Sequence, residues 1–262
     1  MGLLLFSAMA VSAQRAFTLS NSDDGKSELN VFLPAKELAT GRAIVCCPGG
    51  GYSMVCMTYE GTEWAPYFNK LGIALVVLKY RMPKGDRTIP VGDAERAMRT
   101  VRDSALAWHV NPEDVGIMGF SAGGHLASTV ATHADASARP NFQVLFYPVI
   151  SMDKDKGHRG SSENFLGRDV DNSQLIQQFS NDLQVNRSTT PPAIIFLADN
   201  DRTVPPLTNG VPYYMALKAN GVSASLHIYP TGGHGWRFDR RFPFHDEMLL
   251  TLENWLKQLK TK

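Results

Sequence analysis

The stretch VGIMGFSAGGHLAS, residues 115–128, decides the fold. Val115, Ile117 and Met118 make a short apolar run that reads as a buried strand, and residues 121–133 read as a helix. Between them stands Gly119-Phe120-Ser121-Ala122-Gly123, a G-x-S-x-G motif. A serine on a sharp turn from strand to helix is lifted above the sheet, and the glycines admit the close backbone approach that such a turn needs. The bare motif also fits a glycine-rich turn with an incidental serine. Its place between a strand and a helix argues for the first reading.

Outward from this turn, strands and helices alternate. Residues 43–47 (AIVCC) and 73–80 (IALVVLKY) are nearly continuous apolar runs, the pattern of strands buried on both faces of a parallel sheet. Further strands are expected at 27–33, 142–147, 193–198 (AIIFLA) and 225–229. Helices are expected over 63–71, from an N-cap at Asp93 to Trp108, over 207–220 with Gly221 as the stop, and over 244–259. Within the second of these, Ala94, Ala97, Met98, Val101, Ala105 and Trp108 form one apolar stripe, with Glu95 and Arg99 paired on the outer face. Residues 151–190 are more polar and include Asp153-Lys154-Asp155-Lys156. They read as a small excursion from a single domain spanning 14–262. The alternation predicts an α/β fold with a mostly parallel central sheet and helices on both faces.

Composition narrows the function. The chain has 262 residues, of which 44% are apolar and 19% charged, enough for a sizeable core and unlike a disordered chain. With 26 Lys and Arg against 25 Asp and Glu the net charge is +1, so no nucleic-acid partner is expected. Three cysteines exclude a disulfide framework. Cys46 and Cys47 are adjacent in a strand, point to opposite faces and read as buried thiols, while pairing of Cys56 is left open. Residues 3–6 and 8–11 form a short apolar run without charge, and Val11 and Ala13 stand at −3 and −1 before Gln14. Residues 1–13 therefore resemble a signal peptide, although no Lys or Arg precedes the run, and a secreted or periplasmic location is expected. The run is too short to span a membrane and no other segment is long enough, so no stable membrane insertion is expected.

A serine hydroxyl needs a base to take its proton, and the base is usually a histidine oriented by a carboxylate. Of the seven histidines, His234 lies in GGHG (232–235), a loop between the last strand and the last helix, and is the candidate base. His125, one turn beyond Ser121, reads as a supporting or capping group. The carboxylate should follow a strand between Ser121 and His234, and both Asp199 and Asp201 do so. A tetrahedral intermediate needs backbone N–H donors for its oxyanion. Pro48-Gly49-Gly50-Gly51-Tyr52 after an early strand offers them, and the Ala122 amide adds the second side. The run is no phosphate loop, because no Gly-Lys-Ser/Thr follows. Tyr52, Trp236 and Phe238 flank these groups and are expected to form an apolar substrate platform, with Trp236 alternatively packing the histidine loop. Tyr59 and Trp64 are placed either over the site or, for Trp64, in the core.

These residues resemble the α/β-hydrolase superfamily over nearly the whole chain beyond residue 13. Within it they look like bacterial acetyl xylan esterase-like and feruloyl esterase-like proteins. The matching stretches are CPGGGY (47–52), VVLKYRMP (76–83), DAERAMRTVR (93–102), GIMGFSAGGHLAS (116–128), ADNDRTVPP (198–206) and GGHGW (232–236). The resemblance implies an α/β-hydrolase fold with Ser121 as nucleophile and His234 as base. It selects Asp201, the second acid of a D-x-x-V-P segment, as the triad acid. Pro48 stands where the histidine of the lipase H-G-G-G motif would be, leaving the Gly50 and Gly51 amides for the oxyanion. The implied reaction removes acetyl groups from xylan or xylo-oligosaccharides, or acts on another small ester, without metal or organic cofactor. A feruloyl or general carboxylesterase is the alternative. An oligopeptidase-like peptidase lacks room here for its usual gating domain, and a non-catalytic binding module sits poorly with an intact Ser121, Asp201 and His234.

Overall fold

Strands that are apolar on both faces need a cover on each side. In the computed structural model, which describes residues 14–259, such strands form the middle of one eight-stranded sheet. The strands are β1 (Arg15–Ser20), β2 (Glu28–Leu33), β3 (Ala43–Cys47), β4 (Ala74–Lys79), β5 (Val115–Phe120), β6 (Gln143–Phe146), β7 (Ala193–Ala198) and β8 (Ala224–Tyr229). Their order is β1-β2-β4-β3-β5-β6-β7-β8. β1 and β2 pair antiparallel, as do β2 and β4, and the rest of the sheet is parallel. The signal-peptide expectation at 1–13 lies outside the described residues. No helix among the described residues is long and apolar enough to cross a membrane.

Side-chain alternation splits the core in two. Ala43, Val45 and Cys47 of β3 face one layer, while Ile44 and Cys46 face the other. The first layer is closed by α2 (Thr88–Asp103), α4 (Ser121–His133) and α7 (Gly210–Ala219), through Met98, Val101, Leu126, Val130, Tyr213 and Leu217. The second is closed by α1 (Ala65–Lys70) and α8 (His245–Gln258), through Phe68, Met248, Leu252 and Leu256. All three cysteines are free thiols, Cys46 and Cys47 buried and Cys56 half-buried.

Three sequence expectations need correction. β1 was not expected; it is an edge strand whose Phe17 and Leu19 touch the core, and it is held by pairing with β2 more than by its own burial. Asp93 is not an N-cap. α2 starts at Thr88, with Pro90 in its first turn, where a missing N–H costs nothing. Asp93 lies buried inside the helix and accepts hydrogen bonds from the Arg81 amide (2.8 Å) and guanidinium (2.7 Å). The expected single helix to Trp108 breaks after Asp103 and resumes as α3 (Ala105–Trp108), ending at His109 in a left-handed conformation. The polar stretch 151–190 contains α5 (Arg159–Leu166) and α6 (Ser173–Phe179), whose Phe165, Leu166 and Phe179 join the core.

Aromatic rings tie the strand ends together beneath the site. Phe120, at the end of β5, stacks on Phe146 of β6 (4.7 Å), which stacks on Phe196 of β7 (5.0 Å), and Trp64 packs against both Phe120 and Phe146. Phe146→Ala should cost about 3–5 kcal/mol, a large share of a typical domain's stability. Urea unfolding should show this as a lowered midpoint. An unchanged midpoint would mean that the ring ladder contributes nothing to holding β5, β6 and β7.

Candidate active site

The candidate residues gather at the C-terminal ends of the parallel strands. Ser121 follows β5 directly, the glycine run follows β3, Asp201 follows β7 and His234 follows β8. The turn at Ser121 has φ +51°, in the left-handed region that a non-glycine residue enters only at a cost. Its flanking glycines leave no room for a side chain. A Cβ on Gly119 would lie 2.2 Å from the Gly123 carbonyl oxygen, and one on Gly123 would lie 2.0 Å from that of Cys47.

Ser121 Oγ lies 2.8 Å from His234 Nε2, and His234 Nδ1 lies 2.7 Å from Asp201 Oδ2. An ionised carboxylate only accepts, so Nδ1 carries the proton and Nε2 is free to accept from Ser121. Asp201 is buried, and its Oδ1 accepts from the Thr203 and Val204 amides (2.9 Å each). Asp199 is exposed and makes no such approach, so of the two acids it is Asp201 that meets His234. The neighbouring Asn200 Oδ1 accepts the Gly233 N–H (2.8 Å) and so anchors the histidine loop. Among the described residues no group of three or more His, Cys, Asp or Glu is placed to hold a metal ion.

The glycine loop is a tight turn. Gly50, at φ +131°, accepts at its carbonyl from the Ser53 and Met54 amides, and a Cβ there would meet Met54 O at 2.2 Å. Gly49 O accepts from the Cys56 amide (2.9 Å). Because trans peptides point N–H opposite to C=O, the Gly50 and Gly51 amides are turned away from these internal partners. The Gly51 carbonyl accepts from Asn164 Nδ2 (2.9 Å), and His158 lies beside Gly51. The 151–190 excursion is therefore a wall of the site, a role that its polar composition did not reveal. Burial, together with nearby His234, pushes the His158 imidazole below its ordinary pKa.

The expected aromatic platform takes a different form. Tyr52 is 1% exposed; its ring packs on Phe165 and its hydroxyl bonds His125 Nδ1 (2.8 Å), so it supports the loop from below. Trp236 is buried, stacked on Phe242 (4.8 Å) and edge-on to Tyr147 (4.5 Å), and packs the histidine loop. Phe238 is half-buried against Trp64 and borders a groove of about 760 Å³ that also touches Tyr67, Arg240 and His245. Trp64 is wholly in the core. Tyr59 is at the surface, with the Arg237 guanidinium 4.6 Å over its ring.

The mostly parallel sheet and the sharp strand-turn-helix at Ser121 are those of an α/β-hydrolase fold. The α/β-hydrolase fold family matches residues 44–238, and the chain belongs to it. It is 52% identical over 259 residues to an acetylxylan esterase of Xylanibacter ruminicola, covering 98% of this chain and 54% of that protein. It is 32% identical over 203 residues to endo-1,4-beta-xylanase B of Butyrivibrio fibrisolvens, covering 72% of this chain and 31% of that one. The chain thus spans about half, or less, of the length of these curated relatives. An acetyl ester-xyloside bifunctional hydrolase from Caldicellulosiruptor lactoaceticus superposes with a TM-score of 0.84 at 30% identity, over 95% of this chain and 98% of that one.

His125 joins the glycine loop to the excursion. It is fully buried in α4, its Nε2 donating to Phe179 O (2.8 Å) while its Nδ1 accepts from Tyr52. Burial pushes its pKa down to about 4. The unfolded chain takes up a proton near the ordinary histidine value of about 6.5 while the folded one does not. Stability from this group is therefore full above about pH 6.5 and lost as pH falls towards 4. Between pH 7 and 4.5 the loss should be about 2 kcal/mol, read from urea midpoints, and a His125→Asn variant should lose correspondingly less over the same interval. Equal losses in the two proteins would contradict a neutral, buried His125.

Proposed function

We propose that this chain is a serine carboxylic ester hydrolase that removes acetyl groups from xylan or xylo-oligosaccharides. The observation that carries the chemistry is the unbroken hydrogen-bonded line from Ser121 Oγ through His234 to Asp201. Ser121 Oγ attacks the ester carbonyl as His234 Nε2 takes its proton. Asp201, pinned by two amides, stabilises the resulting imidazolium and holds the ring in the needed tautomer. The amides of Gly50, Gly51 and Ala122 receive the oxyanion. His234 then returns the proton to the departing sugar oxygen, and water, activated in the same way, releases acetate from the acyl-serine.

The substrate assignment rests on the relatives. The proteins 52% and 32% identical are named an acetylxylan esterase and a xylanase, and the structural neighbour's name couples acetyl ester to xyloside. The near-neutral charge suits an uncharged polysaccharide. The test is acetate release from acetylated xylo-oligosaccharides by wild type and Ser121→Ala side by side. The variant should lose about 10⁴-fold or more in kcat while keeping its melting temperature. Release that persists in Ser121→Ala would remove the serine from the mechanism. Ser121-dependent turnover of an aryl acetate without release from the oligosaccharides would leave a serine esterase of different substrate, feruloyl esters being the next to try.

A further inference from the structure

Glu60 is a buried carboxylate, 5% exposed, that this catalytic cycle does not use. Both of its oxygens are engaged. Oε2 accepts the Gly49 N–H (2.7 Å) and Oε1 accepts the Tyr147 O–H (2.8 Å). Its backbone belongs to the same brace: Glu60 N donates to Cys56 O (3.2 Å), and Cys56 N donates to Gly49 O (2.9 Å). The peptide planes on both sides of Gly49 are thus held by residues 56–60, and the second plane carries the Gly50 N–H. Gly49 cannot be other than glycine, since a Cβ would lie 2.6 Å from Glu60 Oε2, 2.8 Å from Phe120 O and 3.0 Å from Ser121 Cβ.

The other end of the brace reaches the histidine loop. Tyr147 follows β6; its hydroxyl also accepts the Arg237 N–H (3.3 Å), and its ring stands edge-on to His234 at 4.9 Å. One carboxylate therefore links the glycine loop to the loop that carries His234. Burial pushes the Glu60 carboxyl up, while the Tyr147 hydroxyl, the Gly49 amide and nearby His234 and Arg237 draw it back. Burying a carboxylate is costly unless its lone pairs are met. A carboxylate meets both of these donors at once, one oxygen to each.

We infer that Glu60 is a positioning residue, which holds the Gly49–Gly50 peptide and the Tyr147–His234 contact in the arrangement that acyl transfer requires. This rests on the serine-esterase reading. Steady-state kinetics on an aryl acetate, together with inhibition by a boronic acid that forms a tetrahedral adduct on the serine, test it. In Glu60→Ala, kcat should fall by about 100-fold with KM within about twofold, and boronate affinity should fall in parallel. Glu60→Gln, whose carbonyl still accepts from Gly49, should recover part of the loss. Tyr147→Phe, which keeps the ring, should show a smaller fall in kcat. An unchanged kcat in Glu60→Ala, or a loss confined to KM, overturns the inference. If Glu60→Ala does not fold, unchanged kcat and boronate affinity in both Glu60→Gln and Tyr147→Phe overturn it equally. A wild type with no Ser121-dependent hydrolysis defeats the esterase reading and takes this inference with it, whereas an active wild type with unaffected variants defeats this inference alone.

Discussion

The strained turn at Ser121 organises the strand ends and loops around it. A serine at φ +51° between a central strand and a helix is tolerated only where the surroundings over-determine it. Here they do so by close backbone contact. The missing side chain of Gly123 lets α4 come down onto the end of β3, at Cys47 and Pro48, where the glycine loop begins. That approach brings the start of α4 beside the start of the glycine loop. The Phe120–Phe146–Phe196 ladder ties together the ends of β5, β6 and β7, from the first and last of which Ser121 and Asp201 emerge.

Around this turn, the acid and the loops of the site are held by hydrogen bonds to amides and to a carboxylate. Asp201 is gripped by the Thr203 and Val204 amides, the histidine loop by Asn200, and the glycine loop by Cys56, Glu60 and Asn164. The aromatic side chains beside the site mostly do the same work from below. Tyr52 stands on His125, and Trp236 is wedged between Tyr147 and Phe242. The result is a set of candidate catalytic groups on short loops backed by buried packing, the condition under which donors can stabilise an oxyanion without reorganising.

Much of this was legible in the chain. The parallel core strands, the helix from Ser121 to His133, the coverage of both faces and the serine–histidine pair follow from local pattern, because apolar runs and a G-x-S-x-G turn act through near neighbours in sequence. The edge strand β1 leaves no clear local pattern, because its few apolar residues gain their place only by pairing with β2. Asp93 looked like a cap because a helix start is a local signal, whereas its real partner, Arg81, lies outside the helix.

The chain's local patterns dictate which chemical groups are present and in what order along the strands they come. The folded arrangement shows that Asp201, the acid the D-x-x-V-P resemblance selects, reaches His234, that Tyr52 is a support and not a surface, and that Glu60 joins two loops. By strand position alone Asp199 and Asp201 are equivalent, yet one is exposed and the other buried against two amides. Glu60 carries no motif, and its importance appears only when Gly49 and Tyr147, from distant parts of the chain, meet its two oxygens. The reason is physical. Burial and hydrogen-bond partnership are properties of a position in space, fixed by residues far away along the chain, while strand, turn and nucleophile chemistry are written into adjacent residues.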